Sequence, residues 1–162
     1  MENKEAVISS DGIPVTSDGE PLEEFGTKLQ IIDDESIIAD MRGHAIQDYV
    51  YSIKSGGRTI QGLTLAGINE AANRRGGLEI ESIQYEETED AWRAIAKAVD
   101  TITGSSRYGA CEQPKKAFKK NDPFAFTKAV HKAQRNALKQ LIPVPVIQEV
   151  LSHYLKQNKS RK

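Results

Sequence analysis

AWRAIAKAVD, residues 91–100, is the stretch on which the fold turns. Its alanines favour helix by propensity alone. Its surroundings favour strand. An acidic turn, Glu87–Asp90, precedes it; a turn signal at Asp100–Gly104 and another short strand, Ser105–Glu112, follow it. Read as a strand, Arg93, Ile95, Lys97 and Val99 alternate against Trp92, Ala94, Ala96 and Ala98. We adopt the strand. Leu78–Glu86 then becomes the first of three antiparallel strands. Leu78 and Ile80 share one face, while Ile83 and Tyr85 take the other, so a bulge is expected near Ser82.

Upstream, YVYSIK (Tyr49–Lys54) has the aromatic and β-branched content of a strand. Ser55-Gly56-Gly57-Arg58 is a turn, and Thr59–Leu63 pairs back as a hairpin. Thr64 caps a helix, LAGINEAANRR, with Leu65, Ile68, Ala71 and Ala72 on its apolar face. Gly76-Gly77 ends that helix. Lys28–Asp48 reads as a short helix capped near Asp33 or Asp34, or as a strand and turn. Downstream, Gln113–Asn121 is a lysine-rich loop. Asp122–Leu141, DPFAFTKAVHKAQRNALKQL, reads as one long helix. Asp122 is its N-cap, Pro123 its first position, and Pro143 its stop. Val144–Lys156 forms a short amphipathic helix.

The fold class expected is α+β: a β-hairpin, a helix, a three-stranded antiparallel meander, a long basic helix packed on the curved sheet, and a short C-terminal helix. Residues 28–156 form one domain. Residues 1–27 hold a run of acids and few large apolar groups, and read as a disordered acidic arm. Residues 157–162 form a basic tail.

The net charge of −1 hides a split. Residues 1–103 carry 9 Lys+Arg against 20 Asp+Glu, a net of −11; residues 104–162 carry 13 against 3, a net of +10. Such asymmetry points to an anion site in the second half, or to charge pairing between neighbouring subunits. One cysteine, Cys111, excludes an internal disulfide and a cysteine zinc cluster. A cytoplasmic or nucleoid-associated setting is the default. No apolar run is long enough to span a membrane.

Lys128, Lys132, Arg135 and Lys139 recur at helical spacing and fall on one stripe of the long helix, spread over ~16 Å. Phe126, Ala129, Val130, Ala133, Ala137 and Leu141 take the opposite side. A stripe of cations without a cluster of Asn or Gln suits phosphates rather than base edges. It is expected to face solvent. Lys115, Lys116, Lys119 and Lys120 add a second cluster. Phe124, near the edge of the stripe, is the preferred stacking group; Tyr49, Tyr51 and Phe118 are further candidates. Trp92 is expected in the core. Arg74 and Arg75 suit a helix C-terminus.

The hairpin running into GLTLAGINEAANRRGG, the meander ending in RYGACEQ and the helix KAVHKAQRNALKQL together resemble the single-strand annealing superfamily. Its type is the Rad-fifty-two recombination protein, with the phage Erf and Red-beta proteins as distant kin. The resemblance spans Tyr49–Leu141. It implies a groove for single-stranded DNA, floored by residues such as Arg135 and Lys139 and flanked by hairpin cations, here Lys54 and Arg58. It also implies a homo-oligomeric ring or filament, strand annealing in recombination or repair, and no nucleotide cofactor. Asn136 stands where the family often places a second basic residue.

Other chemistries find little support. His44, His131 and His153 are scattered, without metal-ligand spacing. No GxxxxGK[ST] loop is present. Glu86, Glu87, Glu89 and Asp90 lack the spacing of a calcium loop. No catalytic constellation is visible, so no enzyme activity, cofactor or metal is expected. The alternatives are a double-stranded RNA-binding module, and a self-assembling partner protein whose acidic and basic halves pair between copies.

Overall fold

A computed structural model describes residues 7–8, 14–15, 23–43, 49–55, 57–117 and 119–160. Two short strands, β1 (Val7–Ile8) and β2 (Pro14–Val15), pair antiparallel. Helix α1 is Glu23–Met41. The hairpin β3 (Val50–Ser55) and β4 (Arg58–Leu63) leads to α2 (Leu65–Arg75). The meander follows as β5 (Leu78–Glu87), β6 (Ala91–Asp100) and β7 (Ser106–Pro114). A hairpin of two short strands, β8 (Lys116–Ala117) and β9 (Lys120–Asn121), precedes α3 (Ala125–Lys139) and α4 (Val144–Ser160). The chain is α+β, with its meander in the order β5-β6-β7 and every pairing antiparallel.

The alanine-rich segment is the central strand of that sheet. Ala94, Ala96 and Ala98 of β6 pack against Ala129, Ala133 and Ala137 of α3, and all six are buried. Small side chains on both surfaces let helix and sheet approach closely, and this tertiary demand overrides the helix propensity of alanine. Gly109 of β7 lies where the approach is tightest. A Cβ there would collide with backbone atoms Ala137 N and Ala133 O. The register between β5 and β6 shifts between Ile80 and Ser82, the bulge that the change of face requires.

Local signals account for most boundaries. Thr64 Oγ1 accepts the Gly67 N–H at 3.2 Å and starts α2. Gly76 leaves the helix at φ 71°, a conformation that costs glycine little. Arg75 is a structural tie. It reaches Asp100 at 2.9 Å and fastens the end of α2 to the β6–β7 turn. A second apolar cluster joins Ile68, Ala71 and Ala72 of α2 to Ile142 and Val150. Tyr49 stacks on Tyr154 of α4, with ring centroids 4.5 Å apart.

Two expected helix starts need correction. Asp33 and Asp34 lie in mid-helix, because α1 starts ten residues before Asp33 and runs through both. The basic helix begins at Ala125, not at Pro123. Asp122 instead accepts the Phe124 N–H on Oδ1 at 2.9 Å, forming a turn one step ahead of the helix. Pro143 ends that helix and launches the last one, since its carbonyl accepts from Val146 and Ile147. The C-terminal helix starts at Val144 as expected and runs on to Ser160, so it takes in part of the basic tail. The boundary drawn at residues 27/28 falls inside α1, and most of residues 1–22 lie outside the described residues, as does His44.

Candidate nucleic-acid interface

Spacing does put Lys128, Lys132, Arg135 and Lys139 on one side of α3, but that side is covered. Lys128 and Lys132 are each only 5% exposed. Helix α1 lies against them and supplies carboxylates. Lys132 Nζ is 2.7 Å from Asp34, and Lys128 Nζ is 3.8 Å from the same carboxylate. Lys128 also donates to Asp122 at 2.6 Å, and Arg135 donates to Asp33 at 2.7 Å. The expected solvent-facing ridge is therefore a buried ionic seam between two helices. Ions removed from water need such partners, because an unpaired buried charge is far costlier than a paired one.

Members of the seam have further bonds. Asp33 accepts the Leu65 N–H at 3.2 Å, so it also serves the start of α2. Lys132 donates to Gln113 at 2.9 Å, and Arg135 Nε donates to Asn136 at 2.9 Å. Tyr51 lies close by. Burial first, then the Asp33 charge, push its phenol up to about 12, against the opposing pull of Arg135, so it is neutral at physiological pH. Lys139 is different. It is half-buried and forms no ion pair among the described residues. Burial, and then the neighbouring Arg135, lower its pKa, while Asp33 only partly opposes this.

Asp122 makes the seam sensitive to acid. Burial raises its carboxyl pKa, but the Lys128 ammonium and the Phe124 N–H outweigh burial and hold it below the ordinary value. A depressed folded-state pKa contributes stability above the unfolded pKa, and that stability is lost as pH falls through the folded value. Thermal midpoints are therefore expected to stay level above roughly pH 5 and to fall below it. Asp122→Asn should flatten the acid limb, as read by circular dichroism melts. An unchanged acid limb would remove Asp122 from this role.

The remaining candidate residues scatter. Lys54 is exposed on β3, beside Ile31, Ile32 and Ile53. Arg58 is in β4, but its side chain lies outside the described residues, as does Phe118. Lys115 pairs with Glu87 at 2.7 Å and lies over the Trp92 ring. Lys116, Lys119 and Lys120 are exposed on the β8–β9 hairpin, with no ion pair among the described residues. Lys119 holds a left-handed φ of 66° at the hairpin tip. Phe124 is half-buried at the N-cap of α3.

Asn136 and Gln140 serve packing instead. They donate to the carbonyls of Ala110 (2.8 Å) and Tyr108 (2.7 Å), fastening α3 to edge strand β7. Sequence reasoning alone misses Asp33 and Asp34 as partners of the basic row. It also misses Phe126, whose place on the apolar side of α3 suggests an inward ring. That ring is 36% exposed and touches Trp92 and Tyr85.

Among the described residues no group of His, Cys, Asp or Glu could hold a metal ion, and no helix is long and apolar enough to cross a membrane. No protein-family model matches this chain, and no curated protein matches it significantly.

Proposed function

We propose that this chain binds single-stranded DNA and pairs complementary strands, as a homo-oligomer and without a nucleotide cofactor. One observation carries the reading. The cations around α3 outnumber the carboxylates that meet them. Asp33, Asp34 and Asp122 serve Lys128, Lys132 and Arg135. Lys116, Lys119 and Lys120 at the head of α3, and Lys139 at its tail, have no carboxylate partner among the described residues. These two groups are separated by about the length of the helix, ~20 Å for its 15 residues. A polyanion laid along α3 meets both. Four uncompensated lysines grip phosphates without reading bases, which leaves base edges open to a second strand.

The covered seam changes how a strand is held. While α1 is seated, its carboxylates stand where phosphates would otherwise meet Lys128, Lys132 and Arg135. Strand contacts then fall on the hairpin lysines and Lys139, and only departure of α1 exposes the middle of the row.

Fluorescence anisotropy with labelled oligothymidylate, duplex DNA and duplex RNA at two salt concentrations tests this. Single strands should bind best, with log K falling against log salt at a slope of about −3 for ~4 phosphates per subunit. Lys139→Glu should weaken binding, and complementary oligonucleotides should anneal faster with the protein present. Preference for duplex RNA, or no binding to any of the three, would overturn the proposal.

A further inference from the structure

Three aromatic rings meet where the sheet ends beside the lysine hairpin. Phe126 of α3 lies 4.8 Å from Trp92 and 5.1 Å from Tyr85 between ring centroids, with Tyr85 and Trp92 6.4 Å apart. Helix α3 covers β6 and β7 and barely reaches β5. The same face of β5 is left open at Ile83 and Tyr85, and Tyr85 is 66% exposed. A cluster serving only as core would be closed over, because aromatic rings gain most from full burial.

Cations flank this cluster. Lys115 Nζ is 5.5 Å from the Trp92 centroid, anchored by Glu87. The hairpin that carries Lys116, Lys119 and Lys120 is rooted at the same end. Its base is fixed by Lys115 N–H to the Asp90 carbonyl (2.9 Å) and Asp122 N–H to the Lys115 carbonyl (2.8 Å). Accessible ring faces beside lysines that lack an ion pair among the described residues are the two elements that hold single strands: flat faces for bases, positive charge for phosphates.

We infer that Tyr85, Phe126 and Trp92 form a base-stacking platform for single-stranded nucleic acid, whose phosphates are held by the β8–β9 lysines. The inference rests on the proposed function and goes beyond it by naming where bases lie. Tyr85 presents the open ring. Trp92 and Phe126 set its angle, and Lys115 keeps Trp92 in place. Stacking tolerates any base, so sequence preference is weak.

The chain has a single tryptophan, so its emission reports on this cluster alone. Titrating the full chain with oligothymidylate should quench that emission at the same concentrations that raise anisotropy. An abasic strand of equal length should bind more weakly and leave emission unchanged. Tyr85→Ala should weaken oligothymidylate binding roughly 5- to 150-fold, with an unchanged melting curve, and Tyr85→Phe should bind like the parent. Strand binding with unmoved emission, or with Tyr85→Ala matching the parent, overturns the platform while leaving the proposed function standing. Equal affinity for the abasic strand does the same. No binding of any strand overturns both.

Discussion

Arg135→Ala is expected to lower the free energy of unfolding by about 3–5 kcal/mol, measured by urea denaturation. The cause is the carboxylate left behind. Asp33 is only 2% exposed, and Arg135 supplies its one ion pair among the described residues, at 2.7 Å. Removing the guanidinium strands a buried charge, and the neutral Leu65 N–H bonded to it does not replace the lost cation. The double change Asp33→Ala with Arg135→Ala should cost clearly less than the two single changes summed, since neither charge is then orphaned. Additive losses would show that the pair is not coupled. The consequence for testing the proposed function is direct. An alanine scan of the basic row reports stability as well as strand affinity at Arg135, whereas Lys139, lacking a carboxylate partner among the described residues, separates the two.

The second large effect concerns Gly109. Gly109→Ala is expected to destabilise the chain by about 3 kcal/mol, at the upper end for overpacking. Its added methyl group meets the backbone of α3 at Ala133, Asn136 and Ala137, and a backbone cannot rotate aside as a side chain can. The helix must lift from β7, which loosens the bonds of Asn136 and Gln140 to the strand. A drop in thermal midpoint with faster amide exchange in β7 and α3 is the expected signature. A parent-like melt would mean that helix and strand are not so close.

Much of the fold is legible in the sequence because its signals are local. Alternation along Ala91–Asp100, flanked by turns, identifies a strand despite its alanines. The change of face between Ile80 and Ile83 locates the bulge, and Thr64 and Gly76 bracket α2. Helix α1 is legible only as one of two alternatives, and its start at Glu23 is not legible at all. In KLQIIDDESIIADM the carboxylates Asp33 and Asp34 sit between isoleucine pairs, which breaks any clean apolar stripe. The burial of Asp33 makes sense only once α3 provides a cation, and Arg135 lies 102 residues away.

The same gap hides the fate of the basic row. Its periodicity is correct, yet periodicity cannot say whether a charged face meets water or a complementary helix. The contrast of −11 and +10 between the two parts of the chain is the available clue. At the level of sequence it suggests an anion site or pairing between subunits. In the structure Asp33 and Asp34 meet Arg135 and Lys132 within one molecule. The aromatic cluster is hidden for a similar reason. Phe126 fits the apolar side of α3, and only the offset of that helix from β5 leaves its ring and that of Tyr85 open.

The borders of the meander also limit how copies of this chain can meet. On β7, Asn136 and Gln140 already occupy two carbonyls that an incoming strand would want. On β5, the interruption at Ile80/Ser82 breaks the hydrogen-bond rhythm, and the charged side chains of Glu79, Glu81, Glu86 and Glu87 line the strand. Neither margin is a template for ribbon-to-ribbon growth, the usual route to fibrils. Any contact that copies of this chain made at the meander would therefore use side-chain surfaces rather than strand pairing.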